Sequence, residues 1–116
     1  MKIVLLNTTI VTTDGDYSIK TISLEKAREL IKGVEILSAI GHQFTILSAI
    51  GHQSTADILS ELLEIPVSMN RIMYTQEVGD IALCFKLNGR PEEGKILTAE
   101  EIEEIGYEFK TMTRIS

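Results

Sequence analysis

Cysteine, tryptophan, proline and long apolar runs are all scarce in this sequence of 116 residues. The single cysteine, Cys84, excludes an intrachain disulfide. It stands inside the apolar run 81–85, which is typical of a small core residue rather than of a reactive thiol in an electropositive, partly exposed setting. The longest apolar stretches, 3–6 and 81–85, have the length of a strand and fall far short of a membrane span. We therefore expect a protein that neither crosses a membrane nor depends on disulfides.

The chain also lacks an excess of basic residues, a leader sequence and the usual cofactor motifs. Its net charge of −6 argues against a basic face that would bind duplex nucleic acid, but is compatible with a small anionic ligand held by a few local cations. The N-terminus runs directly into a strand pattern without a signal-peptide core, so we expect a cytoplasmic protein. No P-loop, dinucleotide-binding glycine fingerprint or serine nucleophile elbow is present. The two histidines lack a spaced Cys/His set, and carboxylates such as Asp80, Glu92 and Glu93 follow no ligand pattern, so we expect neither a metal nor a cofactor.

Strand-like and helix-like patterns alternate along most of the chain. Strands are predicted at 2–6, 17–22, 71–75, 81–87 and 107–115, and helices at 23–32, 55–64 and 98–105. The run 81–87 is apolar enough to lie at the centre of a sheet. Thr98 and Glu101 form a capping box, and Gly33 and Gly106 are predicted helix stops. At this length we expect a single domain, residues 1–116, of the α/β (α+β) class, with a mixed central β-sheet flanked by helices.

The most unusual feature is a repeated octapeptide. The segment Ile36-Leu37-Ser38-Ala39-Ile40-Gly41-His42-Gln43 returns letter for letter at 46–53, and only Phe44-Thr45 separates the copies. An offset of ten residues is too short for a solenoid repeat and indicates a tandem duplication. Because ten is even, both copies present the same side chains to the same face of a strand, so either could occupy one position in the sheet. Only the second copy runs directly into a helix start. We therefore assign the functional turn to His52 and treat His42 as a spare in a bulged loop, an extended hairpin or an exchanged arm.

The second copy predicts an active-site turn, in which a strand stops at Gly51, presents His52 and enters a helix. Gly51 permits a tight turn or a positive φ, while Ser54 or Thr55 is expected to cap the helix, with Asp57 in its first turn. The backbone N–H groups of a helix start attract phosphate, and a histidine beside them can transfer a proton near neutral pH. A capped helix with a bystander histidine would explain the same residues.

Polar and cationic side chains elsewhere are also expected at strand ends. Asn7-Thr8 follows the first strand, and ligands of open α/β sheets collect at such positions. Arg90 offers a planar fork for a phosphate, and Arg71 offers a second cation. The same arginines are also typical of a solvated surface, and Glu93 is also typical of a loop carboxylate that pairs with a neighbouring cation.

Four segments together resemble a known family. They are Ile50-Gly51-His52-Gln53-Ser54-Thr55, Asn70-Arg71, Gly79-Asp80-Ile81-Ala82-Leu83, and Arg90-Pro91-Glu92-Glu93-Gly94-Lys95 with the Glu-rich helix after it. In these segments the chain is similar to the small viral ring nucleases that act as type III anti-CRISPR proteins, and to their relatives in phages and bacterial mobile elements. The resemblance spans residues 7–105. It implies a homodimer that binds cyclic tetra-adenylate, the second messenger of type III CRISPR defence, at the dimer interface in the host cytoplasm.

The resemblance also implies roles for single residues. A ribose 2′-OH would attack the adjacent phosphorus while His52 protonates the departing 5′-oxygen as general acid, without metal or cofactor, so that the ring is cut to linear di-adenylates. Arg90 would hold the phosphate, and Glu93 would help to orient the catalytic groups. Substrate would be bound by Asn7, Thr8, Gly51 and Arg71.

Two other functions are compatible with the same sequence. One is a sponge that binds cyclic oligoadenylate without cutting it. The other is a partner-binding protein that uses the acidic helix 98–105. Members of the family generally show one Ile-Gly-His turn, so this chain carries ten extra residues directly before its catalytic segment.

Overall fold

The computed structural model describes residues 2–11, 13–41, 45–89 and 97–116. Within these ranges, five strands form one mixed sheet and three helices accompany it. The strands are β1 (Lys2–Leu6), β2 (Tyr17–Ile22), β3 (Thr45–Ser48), β4 (Ile81–Leu87) and β5 (Tyr107–Arg114), and the helices are α1 (Leu24–Ala39), α2 (Gln53–Leu63) and α3 (Ala99–Ile105). The predicted α+β single domain with a mixed sheet is confirmed. The predictions for His42, Arg90 and Glu93 lie outside the described residues.

The sheet has the strand order β2-β5-β4-β1-β3. β1 runs parallel to both β3 and β4, whereas β5 runs antiparallel to both β4 and β2. The apolar run 81–87 forms the middle strand of the sheet, as predicted. Its residues 82–85 are buried, as expected for a strand that is covered on both faces. The carboxyl ends of β1, β3 and β4 therefore open at one edge of the sheet, where ligands of α/β folds bind.

The main core lies on one face of the sheet. Alternate strand residues such as Ile3, Leu83 and Phe109 pack there against the buried sides of α1, α2 and α3. The other face carries a smaller apolar cluster that includes Val4 and Met112 and, among the described residues, no side chain from a helix. The helices thus cover one face, and the opposite face is left to the loops.

Helix α1 does not stop at Gly33, which corrects the predicted end. Val34 is 5% exposed in the core, and burying a valine contributes about 1.5–3 kcal/mol. That gain outweighs a helical glycine, which costs about 1 kcal/mol. The helix therefore continues into the first octapeptide copy, where Ile36 and Ile40 are 57% and 67% exposed. It ends at Ala39, with Ile40 as the C-cap, and Gly41 follows with a φ of +93° that suits a residue without a Cβ.

The predicted strand at 71–75 is absent: residues 65–80 are all described and contain no strand. Polar side chains anchor this segment instead of a backbone ladder. The Asn70 side chain donates to the Ser48 carbonyl over 2.8 Å, and Gln76 Nε2 donates to the carbonyls of Asp80 and Met112 over 3.0 and 2.9 Å. The segment thus crosses over to the loop-covered face, where Tyr74 packs on the smaller cluster.

Candidate functional site

An open cleft of 980 Å³ lies where β1 and β4 end and α2 begins. Its walls come from the turn after β1, the start of α2, the end of β4 and the first half of β5. Of the site residues predicted from the sequence, the structure brings Asn7, Thr8 and His52 together here. These three predicted residues therefore line one cleft.

His52 itself occupies the N-cap position of α2, with extended backbone angles of −132° and 131°. This corrects the prediction that Ser54 or Thr55 caps the helix, since both residues already lie in its first turn and line the cleft. The His52 carbonyl accepts the Ala56 N–H over 3.1 Å, but its side chain makes no capping hydrogen bond. The exposed imidazole and the first N–H groups of α2, which have no acceptor inside a helix, thus meet at one wall of the cleft.

The side-chain hydrogen bond at the start of α2 differs from the predicted one. Asp57 lies in the second turn of α2 rather than in the first, and its carboxylate accepts a hydrogen bond from the Gln53 side chain over 2.8 Å. This pair joins residues four apart on one helix face, which favours a start at Gln53. No acidic side chain stands in the first turn. The carboxylate nearest in the chain is that of Asp57, which is engaged by the Gln53 side chain.

Hydrogen bonds from residues 70–71 fix the turn between β3 and α2. The Asn70 N–H donates to the Ile50 carbonyl and Arg71 Nε to the Gly51 carbonyl, both over 2.8 Å. Arg71 does not line the cleft but fixes the turn that presents His52. Gly51 does not have a positive φ, and a Cβ there would only reach ordinary contact, 3.6 Å from Arg71 Cγ. The turn consequently needs no special backbone conformation at Gly51.

Cys84 lies at the floor of the cleft and is only 3% exposed. Burial raises the pKa of its thiol, and a hydrogen bond with Thr9 and the charge of Lys110 only partly oppose this effect. A thiol with a raised pKa stays protonated and is a poor nucleophile. The structure thus keeps the predicted core role of Cys84 but places it in contact with the site.

The sequence analysis missed three charged residues of the cleft: Lys86 on β4, and Glu108 and Lys110 on β5. Each directly adjoins a buried phenylalanine in the chain, Phe85 for Lys86 and Phe109 for both Glu108 and Lys110, so strand alternation places the charged side chain on the face opposite that ring. The antiparallel register places Lys86 opposite Glu108 and Cys84 opposite Lys110. This register brings the charged side chains to the cleft, and it cannot be predicted from the sequence of either strand alone.

A metal centre finds no support in the described part of the chain, where no three His, Cys, Asp or Glu side chains are grouped to hold an ion. Of the three carboxylates considered in the sequence, Asp80 accepts hydrogen bonds from the Tyr74 hydroxyl and from the Glu77 N–H, while Glu92 and Glu93 lie outside the described residues. Across the described ranges, no helix combines the length and apolar character needed to cross a membrane.

Several known proteins are similar to this chain in sequence or in fold. The chain is 36% identical over 89 residues to protein 26 of Sulfolobus islandicus filamentous virus (isolate Iceland/Hveragerdi), covering 76% of this chain and 67% of the relative. It is 32% identical to YddF of Bacillus subtilis (strain 168), covering 99% of each chain, and 33% identical to ORF117 of Acidianus two-tailed virus, covering 96% of this chain and 92% of the relative. The structure of B116 of Sulfolobus turreted icosahedral virus (STIV) has the same fold, with a TM-score of 0.79 at 24% identity over 98% of this chain and all of B116.

The model of one family aligns with the chain in two overlapping stretches, residues 3–47 and 44–109. The first stretch contains the complete octapeptide at 36–43 and the second contains the complete octapeptide at 46–53, as a tandem duplication predicts. Together the stretches include all the strands and helices of the described residues, except Lys2 of β1 and residues 110–114 of β5. The chain belongs to the STIV B116-like family.

Proposed function

We propose that this protein is a metal-independent ring nuclease that binds cyclic tetra-adenylate and cuts it to linear di-adenylates in the cytoplasm of the host cell. The main supporting observation is the position of His52, an exposed N-cap residue without a capping bond at the wall of a 980 Å³ cleft. A phosphate at the N–H groups of α2 would stand directly beside this imidazole. The cleft volume suits a ligand much larger than a single phosphate.

The reaction requires one nucleophile, one leaving group and one proton donor. The ribose 2′-oxygen forms a bond to the neighbouring phosphorus as its proton passes to water, and the bond from phosphorus to the 5′-oxygen breaks. Protonated His52 gives its proton to that 5′-oxygen, which leaves a 2′,3′-cyclic phosphate on one side and a 5′-hydroxyl on the other. Arg90 would hold the phosphate and Glu93 would help to orient the groups; these two roles come from the family resemblance alone.

A homodimer completes the proposal. A ring of four identical nucleotides suits a two-fold axis, because each subunit then offers the same groups to opposite phosphates. Ile10 and Val11 follow the cleft residues directly and are 53% and 50% exposed, and Met73 is 88% exposed. A second subunit at the cleft would cover Ile10 and Val11, which are adjacent in the chain.

The test is incubation of the purified protein with cyclic tetra-adenylate in EDTA, with the products separated by chromatography. The histidines of the two copies provide a matched pair of variants, His52→Ala and His42→Ala. We expect the wild type and His42→Ala to produce linear adenylates, and His52→Ala to lose at least about 100-fold in rate, the usual contribution of a general acid.

Three other outcomes would contradict this proposal in different ways. Binding of the ring without any cleavage would favour the sponge. The absence of binding would favour a protein that acts through a partner. Loss of activity in His42→Ala but not in His52→Ala would show that the first copy, and not the second, carries the catalytic histidine.

A further inference from the structure

Lys110 is one of three charged strand residues that line the cleft, and it has no ion-pair partner among the residues that the structure describes. It lies on β5, half-buried, opposite Cys84 in the antiparallel register with β4. Lys110 and Cys84 both line the cleft, and the charge of Lys110 lowers the pKa of the Cys84 thiol against the larger effect of burial. A cation in this position loses part of its hydration and needs compensation from an anion or from hydrogen bonds.

The described residues supply no such anion. Their ion pairs are Lys26 with Glu29 and Arg28 with Glu64, and neither involves the cleft. Glu108 is on the same face of β5, but it stands opposite Lys86 in the register and forms no ion pair within 4 Å with either lysine. In a chain with a net charge of −6, a cation of the cleft that has no ion-pair partner in the described part of the chain favours an anionic ligand.

Lys110 and the start of α2 are too far apart to hold one phosphate. The helix start follows β3, and the order β5-β4-β1-β3 places two strands between β5 and β3. Three strand spacings amount to about 14 Å, much more than the width of a phosphate group. An anion at Lys110 would therefore be a second phosphate of the same ligand.

We infer that Lys110 binds a phosphate of the ring other than the one beside His52, so that the cleft selects ligands with at least two phosphates. This inference rests on the proposed function. It adds a binding residue on β5, at the opposite side of the cleft from the proposed catalytic turn. A ligand with one phosphate, such as adenosine monophosphate, would reach only one of the two positions and bind far more weakly.

The test measures binding of cyclic tetra-adenylate in EDTA by isothermal titration calorimetry, at several salt concentrations from about 50 to about 200 mM. All proteins carry His52→Ala so that the ring stays intact. The variants are Lys110→Met, which keeps the aliphatic stem over Cys84, and Lys110→Arg, which keeps the charge. Lys20→Met is the matched control, because Lys20 is an exposed lysine of β2 in the same sheet but does not line the cleft.

We expect Lys110→Met to weaken binding by about tenfold, the usual effect of one charge-assisted contact. It should also reduce the slope of log K against log salt by about 0.7, the contribution of one phosphate contact to a single-stranded ligand. Lys110→Arg should restore both values, and Lys20→Met should change neither.

The outcomes separate this inference from the function on which it rests. If the ring binds and Lys110→Met has the affinity and slope of Lys20→Met, the inference is wrong while the proposed function stands. If adenosine monophosphate binds as tightly as the ring, the inference of a second phosphate position is also wrong. If the parent protein does not bind the ring at all, the proposed function itself fails.

Discussion

The hydrogen bond between Tyr74 and Asp80 should be the main anchor of the segment between α2 and β4. The Tyr74 hydroxyl donates to Asp80 Oδ2 over 2.5 Å, and the Glu77 N–H donates to the same oxygen over 3.0 Å. Asp80 is only 4% exposed, so these bonds replace most of its hydration. Loss of either bond leaves a buried carboxylate with less compensation.

Tyr74→Phe keeps the ring and removes only the hydroxyl. A hydrogen bond to a charged group contributes about 1.5–3 kcal/mol, but water can partly replace the hydroxyl of a half-buried tyrosine, so we expect a loss of about 1–1.5 kcal/mol in the free energy of unfolding at neutral pH. The matched control is Tyr107→Phe, which removes an exposed 3.1 Å bond to Glu103 and should cost less than about 0.5 kcal/mol.

The difference between wild type and Tyr74→Phe should also depend on pH. Burial, and then the hydrogen bond to Asp80, raise the pKa of Tyr74. An unfolded tyrosine ionises near pH 10. The unfolded chain therefore loses this proton before the folded chain does, and the Tyr74 contribution to stability is complete below about pH 10 and declines above it. Because solvent screens a half-buried group, we expect a decline of at most about 1 kcal/mol per pH unit.

Urea unfolding followed by far-UV circular dichroism, at one fixed protein concentration, measures both effects. The wild type should be more stable than Tyr74→Phe at about pH 7, and this gap should narrow at about pH 10.5. Equal stability at neutral pH would refute the anchoring role of the bond. A gap that stays constant or widens at alkaline pH would refute the assignment of the raised pKa to Tyr74.

Three further predictions concern local structure. Thr98→Ala removes the capping box of α3, in which Thr98 accepts the Glu101 N–H over 3.2 Å, and should lower the free energy of unfolding by about 1 kcal/mol in the same urea assay. Gly106→Ala should cost about 1–3 kcal/mol, since φ is +80° and the new Cβ would lie 2.9 Å from Asn88 Nδ2; an unchanged urea midpoint would show that neither strain nor crowding matters there. Deletion of 36–45 removes one copy of the repeat and exposed helix residues, so the remaining chain should still unfold cooperatively, with a smaller helical signal in circular dichroism.

Most strands and the helix α3 could be predicted because local signals agree there with the tertiary fold. The predicted bounds of β1, β2 and β4 match the structure, and the capping box and Gly106 fix both ends of α3. Two of the errors have tertiary causes. Burial of Val34 carries α1 past Gly33, and the side-chain bonds of Asn70 and Gln76 replace the expected strand.

The candidate site was predictable only where parallel strands end. Asn7, Thr8 and His52 follow β1 and β3, and parallel neighbours must end at the same edge. Lys110 and Glu108 instead lie within an antiparallel strand, so their arrival at the site depends on the register with β4. A one-residue shift in that register would turn both side chains to the other face, and no local pattern fixes it.

The repeated segment does not determine its own conformation, since residues 36–39 are helical and residues 46–48 form a strand. In the first copy, Ile36 to Ala39 continue a helix whose buried stripe lies upstream, and Ile40 remains 67% exposed. In the second copy the same residue type, Ile50, is fully buried, which contributes about 1.5–3 kcal/mol.

The residues after α2 make the second position favourable. The Ser48 hydroxyl donates to the Ser68 carbonyl over 2.6 Å, and Asn70 and Arg71 bond the carbonyls of Ile50 and Gly51. No equivalent segment follows the first copy, because Phe44-Thr45 leads straight into β3. The flanking residues therefore select the strand for the second copy, and with it the histidine that stands at the start of a helix and faces the cleft.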